Sequence, residues 1–221
     1  MTSTTEPAVH RDDAEVGDVP FSQRLREATR QAHTEAEGAG FITRLMAGQL
    51  DAAAFARLTA QLHPLYEALE SNSATDPVRD RFGDPRLHRL EALERDLTHL
   101  LGPDWRSKEP ASLAARTYAE HIASVSHSTP AFVGHHYTRY LGDLSGGQAI
   151  GRLVSRHYGL REGEPGLLFY SFPEISKPKA YKDAYRESLD SAPWGESQRA
   201  EVIAEAQRAF AMNAAIFASL G

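Results

Sequence analysis

The stretch Arg139-Tyr140-Leu141-Gly142-Asp143-Leu144-Ser145-Gly146-Gly147-Gln148-Ala149-Ile150-Gly151-Arg152-Leu153 decides how the rest of the chain is read. Its apolar residues Tyr140, Leu141, Leu144, Ile150 and Leu153 keep helical time. Yet four glycines interrupt it, each costing about 1 kcal/mol relative to alanine inside a helix. Three readings are open. The glycines mark a loop, although the apolar period continues on both sides. Alternatively they admit a second helix, because Gly142 and Gly146 stand four apart and Gly151 lies near the same face. In the third reading the missing Cβ atoms bare the backbone to a flat ligand and let the helix bend, with the Asp143 carboxylate among them.

Outward from that stretch, helix signals dominate. Ser22 is placed to cap a helix running to Glu37, with Leu25, Ala28, Ala32 and Ala36 on one face and Gly38 as its stop. A short segment, 42–47, follows. Asp51 opens a helix over 52–71 that carries Phe55, Leu58, Leu62, Leu65, Tyr66 and Leu69 at helical spacing. Asp84-Pro85 reads as an N-cap and first helical residue of a helix to Leu101. A further helix spans 111–126, and Pro130 opens the glycine-bearing segment, which ends at Tyr158-Gly159. Residues 165–176, with aromatics and two prolines, read as an irregular connection before helices over 178–190 and 196–220. No segment alternates with period two, and no repeat of roughly 20–50 residues is visible. The class is all-α, a single domain of about eight helices.

The bulk numbers agree. A chain of 221 residues with 41% hydrophobic content builds one substantial core. No run approaches the roughly 18 apolar residues of a membrane span. Residues 1–19 are polar and acidic, without an export signal, and read as a disordered tail before a domain over 20–221. The absence of cysteine excludes disulfides, thiolate metal sites and cysteine nucleophiles. A net charge of −6 argues against nucleic acid as a partner. These features together predict a cytoplasmic protein with no membrane contact.

The third reading of the glycines suggests a porphyrin, bounded by helix backbone and one carboxylate. It demands an iron ligand on another helix, and histidine is the natural one when cysteine is lacking. The chain has ten histidines. His10 falls in the tail, and His63, His88, His99, His127 and His157 fall at helix surfaces or ends. His121 reads as buried on its helix, and His135 and His136 precede the glycines. His33 differs, because Glu37 follows it by one helical turn and can orient the imidazole by accepting from its other N–H. A His-x-x-x-Glu pair is by itself a weak signal.

Taken together, Leu25-Arg-Glu-Ala-Thr-Arg-Gln-Ala-His33-Thr-Glu-Ala-Glu37 and Tyr137-Thr-Arg-Tyr-Leu-Gly-Asp-Leu-Ser-Gly-Gly147 closely resemble the proximal and distal helices of haem oxygenases. The resemblance covers residues 20–220, and the second motif is the family's signature. It implies an all-helical fold with haem sandwiched between the first helix and a kinked glycine-rich helix. The implied activity uses haem b as both substrate and cofactor, cleaving its ring with O2 and external electrons to biliverdin, CO and Fe2+. His33 is the implied iron ligand, with Glu37 orienting it. Asp143 would act through water, with Tyr66, Arg139 and Asn213 in the same network, while Gly142 and Gly146 leave room over the ring. Arg26, Lys177 and Arg186, with Tyr137, would hold the propionates and favour the α isomer, and Phe210 would wall the pocket. Arg26 stands where many relatives have lysine; arginine can form a bidentate fork and lysine cannot. The chain ends at Phe217-Ala-Ser-Leu-Gly221 without the membrane anchor of larger relatives, so it resembles the soluble bacterial type, expected as a monomer.

No nucleotide-binding fingerprint is present, which points to a separate electron donor, a ferredoxin or a flavoprotein reductase. Other functions fit less well. A haem-storage protein would need His33 but not Asp143 or the glycines. A thiaminase-like enzyme requires a nucleophilic cysteine, and a ferritin-like di-iron protein requires paired Glu-x-x-His motifs. A helix-packing scaffold leaves the joint presence of His33, Glu37 and the glycine motif unexplained.

Overall fold

The computed structural model describes residues 19–38, 40–71 and 76–221, with the Glu37 side chain outside that set. The expected tail is therefore outside it but for Val19. Ten α-helical segments are present among the described residues. They are α1 (Phe21–Glu37), α2 (Gly40–Met46), α3 (Ala52–Glu70), α4 (Leu90–Leu101), α5 (Trp105–Lys108), α6 (Leu113–Val125), α7 (Thr129–His136), α8 (Gln148–Tyr158), α9 (Pro178–Asp190) and α10 (Glu196–Ser219). No strand occurs among the described residues, as the missing period-two pattern predicts. None of these helices is long and apolar enough to cross a membrane.

Several ends obey local chemistry. The Asp51 carboxylate accepts from the Ala54 N–H at 2.8 Å, and Ser112 and Ser128 cap α6 and α7 in the same way. Gly159 stops α8 in the left-handed region, φ 69°, which a side chain would resist. Two expected starts are corrected. Ser22 lies inside α1, not at its cap, which is Pro20; its N–H and hydroxyl instead donate to the Asp190 carboxylate at 2.7 and 2.9 Å, tying α1 to the end of α9. Asp84 caps only a short 3-10 turn, Pro85–Leu87. The helix starts afresh at Leu90, because the Glu70 carboxylate of α3 accepts the Arg89 N–H at 2.6 Å and Leu90 N–H at 3.2 Å. That cap comes from a residue twenty positions away, so no local pattern announces it.

The core joins α3, α6, α7, α9 and α10 around Tyr66, Tyr118, Tyr140 and Phe169, each fully buried. A second cluster, including Phe41, Phe55, Leu58 and Val154, fixes α2 and α8 against α3. α10 packs on α7, α1 and α6, so one helix borders most of the molecule's interior. The contact with α7 is closest at Gly134, where a Cβ would fall 2.8 Å from the Val202 carbonyl oxygen. His63 is buried against this core rather than exposed, its ring 4.9 Å from Trp105 and 3.3 Å from Glu94.

Candidate active site

After α7 the chain does not continue as an ordinary α-helix. Two π-helical turns follow, Tyr137–Leu141 and Asp143–Gly147, with Gly142 between them. A π turn bonds residue i to i+5 and widens the helix, so the expected bend takes the form of two widened turns. Tyr140, Leu141 and Leu144 are buried, whereas Gly142, Ser145 and Gly146 are exposed. The four glycines divide into two pairs. A Cβ on Gly151 would fall 2.9 Å from the Tyr170 Cβ, and one on Gly147 would lie 3.5 Å from the same ring. Gly151 thus admits an aromatic neighbour, whereas a Cβ on Gly147 would make only ordinary contact with it. A Cβ on Gly142 or Gly146 would meet nothing within 4 Å. Gly142 has φ −60° and ψ −48°, angles alanine adopts equally well, so neither backbone nor packing explains it.

Beside this bare backbone lies a buried polar network. The Tyr66 hydroxyl donates to Asp143 Oδ2. Arg139 Nε and Nη2 donate to the same hydroxyl oxygen at 3.2 and 3.0 Å, and Nη2 lies 3.7 Å from Asp143 Oδ1. Arg139 Nη1 donates to Asn213 Oδ1 of α10 at 2.9 Å. Two N–H donors occupy the phenolic lone pairs, so the Tyr66 proton is directed onto Asp143. Burial pushes the Asp143 carboxyl up from its usual range, against the pull of Arg139 and the Tyr66 hydroxyl. It pushes the Tyr66 phenol up as well. Burial opposes the charge on Arg139, but Tyr66 and Asp143 outweigh it and hold the guanidinium protonated. Tyr140 ties the segment to α3 by donating to Glu70 Oε1 at 2.9 Å.

The opposite wall comes from α1. Tyr137 of the first π turn lies beside Thr29 of α1; burial pushes the pKa of its hydroxyl up, and Thr29 lowers it against that push. His33, one turn further along α1, is exposed, and its ring stands edge-on to Phe210 of α10 at 5.5 Å. Glu37, the expected orienting carboxylate, has its side chain outside the described residues. Arg26 and Arg186 both act electrostatically on the Tyr137 hydroxyl, and Arg186 also pairs with Asp183 at 2.7 Å.

Lys177, the third expected cation, precedes α9 and is exposed. Nine residues at about 100° each put it half a turn around the helix from Arg186. Lys182 is the residue one turn before Arg186, and its ammonium donates to the Ser145 hydroxyl at 2.9 Å. Sequence reasoning missed Lys182, although its spacing of four from Arg186 is legible. It also missed Tyr118, fully buried and electrostatically coupled to Arg139 and Asp143. No sequence pattern marks that tyrosine apart from other core aromatics.

Comparison with known proteins gives consistent matches. The family described as "Heme oxygenase" matches residues 19–219. "Heme oxygenase 1" of Synechocystis sp. is 34% identical over 206 residues, covering 91% of this chain and 85% of the relative. "Heme oxygenase 1" of Homo sapiens is 35% identical over 205 residues, covering 90% and 71%. Among solved structures, heme oxygenase-1 from Synechocystis sp. in complex with heme superposes with a TM-score of 0.84 at 32% identity, covering 91% of this chain and 92% of that one. Heme oxygenase from Leptospira interrogans gives a TM-score of 0.84 at 33% identity, with 90% and 99% covered.

Proposed function

The chain belongs to the heme oxygenase family of haem-degrading oxidoreductases, and from that premise we propose which of its residues carry the reaction and how. The observation that supports this reading most is the pairing of Gly142 and Gly146, whose missing Cβ atoms face open space, with the adjacent buried Asp143. A flat ring would fit such a cradle, and His33 stands exposed on α1, whose Thr29 neighbours Tyr137 of the first π turn. Haem b, when bound, supplies the iron and the ring carbon that react with O2 and electrons to yield biliverdin, CO and Fe2+.

His33 would hold the iron through an imidazole nitrogen, with the Phe210 ring edge-on beside it. Asp143 Oδ2 accepts from the Tyr66 hydroxyl, which leaves Oδ1 as the oxygen that would exchange a proton with water in the space beside Gly142 and Gly146. Arg139 keeps the Tyr66 proton aimed at Asp143, and Asn213 fixes the guanidinium plane. Buried beside the bare backbone, the carboxyl would act through water and not by touching the reacting ligand directly. Arg26, Lys182 and Arg186, with Tyr137, clamp the propionates by charge-assisted bonds. That clamp fixes the ring's rotation and favours the α isomer. Electrons come from a ferredoxin or a flavoprotein reductase, and the protein works as a cytoplasmic monomer.

The test is an absorption spectrum of the purified chain with one equivalent of haemin, then reductant under air. A sharp Soret band that decays as a broad red biliverdin band grows is the expected result, and its loss in His33→Ala identifies the ligand. A Soret band that survives reductant and O2 would make the site a haem carrier instead.

A further inference from the structure

Between α6, α7 and α10, a second group of side chains converges without any role in the reaction above. His121 of α6, His135 of α7 and Glu205 of α10 place one donor atom each within 4.8 Å of one another. Glu205 Oε2 lies 2.7 Å from His121 Nε2 and 3.0 Å from His135 Nε2, and the two imidazole rings stand 5.2 Å apart, nearly perpendicular. We propose that His121, His135 and Glu205 form a binding site for a divalent transition-metal ion, with zinc the ion best matched to the donors.

The donor set is two imidazole nitrogens and one carboxylate oxygen, the composition of three-ligand zinc sites that keep a fourth position open. With metal–ligand distances near 2.1 Å, tetrahedral ligand atoms stand about 3.4 Å apart. The contacts of 2.7 and 3.0 Å to Glu205 need open by about 0.7 and 0.4 Å to reach that. Backbone geometry holds the group together. Gly134, next to His135, lets α10 approach so closely that a Cβ there would lie 2.9 Å from the Glu205 Cβ. Arg208 Nε sits 3.4 Å from Glu205 Oε1, engaging that oxygen and leaving Oε2 for the ion.

Access exists from one side. The His135 side chain is wholly buried, but those of His121 and Glu205 retain 19% and 13% exposure. An ion and its water can therefore enter at the surface edge. The bland alternative is a hydrogen-bonded brace in which both imidazoles donate to the carboxylate. His135 Nδ1 has no hydrogen-bond partner among the described residues, so nothing on that side locks the ring proton onto Nε2. Metal binding moves this proton to Nδ1, a buried position without an acceptor, which costs affinity without blocking ligation.

The experiment is equilibrium dialysis of the full haem-free chain, stripped with chelator, against buffered Zn2+, with bound zinc counted by elemental analysis. The other histidines, His33 included, are shared by all samples, so the difference between proteins isolates this site. The wild type should hold about one zinc more per chain than His121→Ala and than Glu205→Gln. Zinc at a hundredfold excess over its Kd should raise the wild-type Tm by about 5–10 °C and leave both variants unmoved. Equal zinc uptake by all three proteins would overturn the proposal and leave the brace. A check on wild type alone guards against a misfolded variant: Co2+ should give visible absorption typical of low coordination number, abolished by Zn2+. Its absence would count equally against the site.

Discussion

Replacing Gly142 with alanine should stabilise this protein while spoiling it. Gly142 has right-handed helical angles, φ −60° and ψ −48°, and an added methyl would meet nothing within 4 Å. Relieving the conformational entropy of glycine in a helix is worth about 1 kcal/mol. For a chain of this size that raises Tm by about 2–4 °C. The same methyl projects into the space assigned to the ring. Overpacking by one carbon typically costs about 1–3 kcal/mol, which weakens haem binding by a factor of about 5–150. Scanning calorimetry on the haem-free chain and a haemin titration followed at the Soret band measure the two effects separately. Gly151→Ala supplies the opposite case. Its Cβ would lie 2.9 Å from Tyr170 Cβ, so Tm should fall or stay level while haem affinity is kept. A lower Tm for Gly142→Ala would show that the backbone itself needs glycine there. A higher Tm with unchanged haem affinity would show that the bare face is not the haem face.

Tyr66→Phe removes the donor to Asp143 and the acceptor of two Arg139 N–H groups; it should cost about 1–3 kcal/mol in urea unfolding and lower the biliverdin yield per turnover, and an unchanged yield would remove Tyr66 from proton delivery. Lys182→Ala should weaken haem binding and broaden the biliverdin isomer mixture while Lys177→Ala changes neither; the reverse result, read by chromatography of the products, would restore Lys177 to the clamp. His135 and His136 are held neutral by burial, with pKa values of about 4 and about 3 against an ordinary 6.5. Both folded values are depressed, so below pH 6.5 the unfolded chain binds more protons. Stability from this source is complete above that pH and falls as pH drops, by up to about 1.4 kcal/mol per unit for each residue. Tm followed from pH 7 to 5 should thus decline less steeply in His136→Phe than in wild type, and parallel declines would show that His136 is protonated without unfolding.

Much of the fold was legible because helices carry their own punctuation. Asp51 and Gly159 act within four residues of themselves, and the apolar spacing of α3 shows that it is interior; the caps Ser112 and Ser128 are equally local but were not picked out. What was misread depends on partners distant in sequence: Ser22 bonds Asp190, Glu70 caps α4, and His63 is covered by Trp105 of α5. The glycine pattern exposed both of its causes at once without separating them. Only the position of Tyr170, which no spacing reveals, shows that Gly151 serves packing while Gly142 and Gly146 do not. For the candidate site, residues on shared motifs were found together, and Tyr66, Arg139, Asp143 and Asn213 are joined by hydrogen bonds. Lys182 escaped because a charged residue on an exposed helix looks the same whether it faces a ligand or water.

The two π turns between Tyr137 and Gly147 also set the gearing of the chain. Each uses one residue more per revolution than an α-helical turn, so each advances the phase of everything downstream by about 100°. The segment thus behaves like a screw with two extra teeth: shortening it by a single residue would not merely trim a surface but turn α8 by more than a quarter revolution. Val154 would leave its seat against Phe55, and Gly151 would swing away from Tyr170, presenting a side-chain-bearing neighbour in its place. Point substitution is therefore a far gentler route of change here than a one-residue deletion, and lineages altering this segment's length would have to do so in compensating steps.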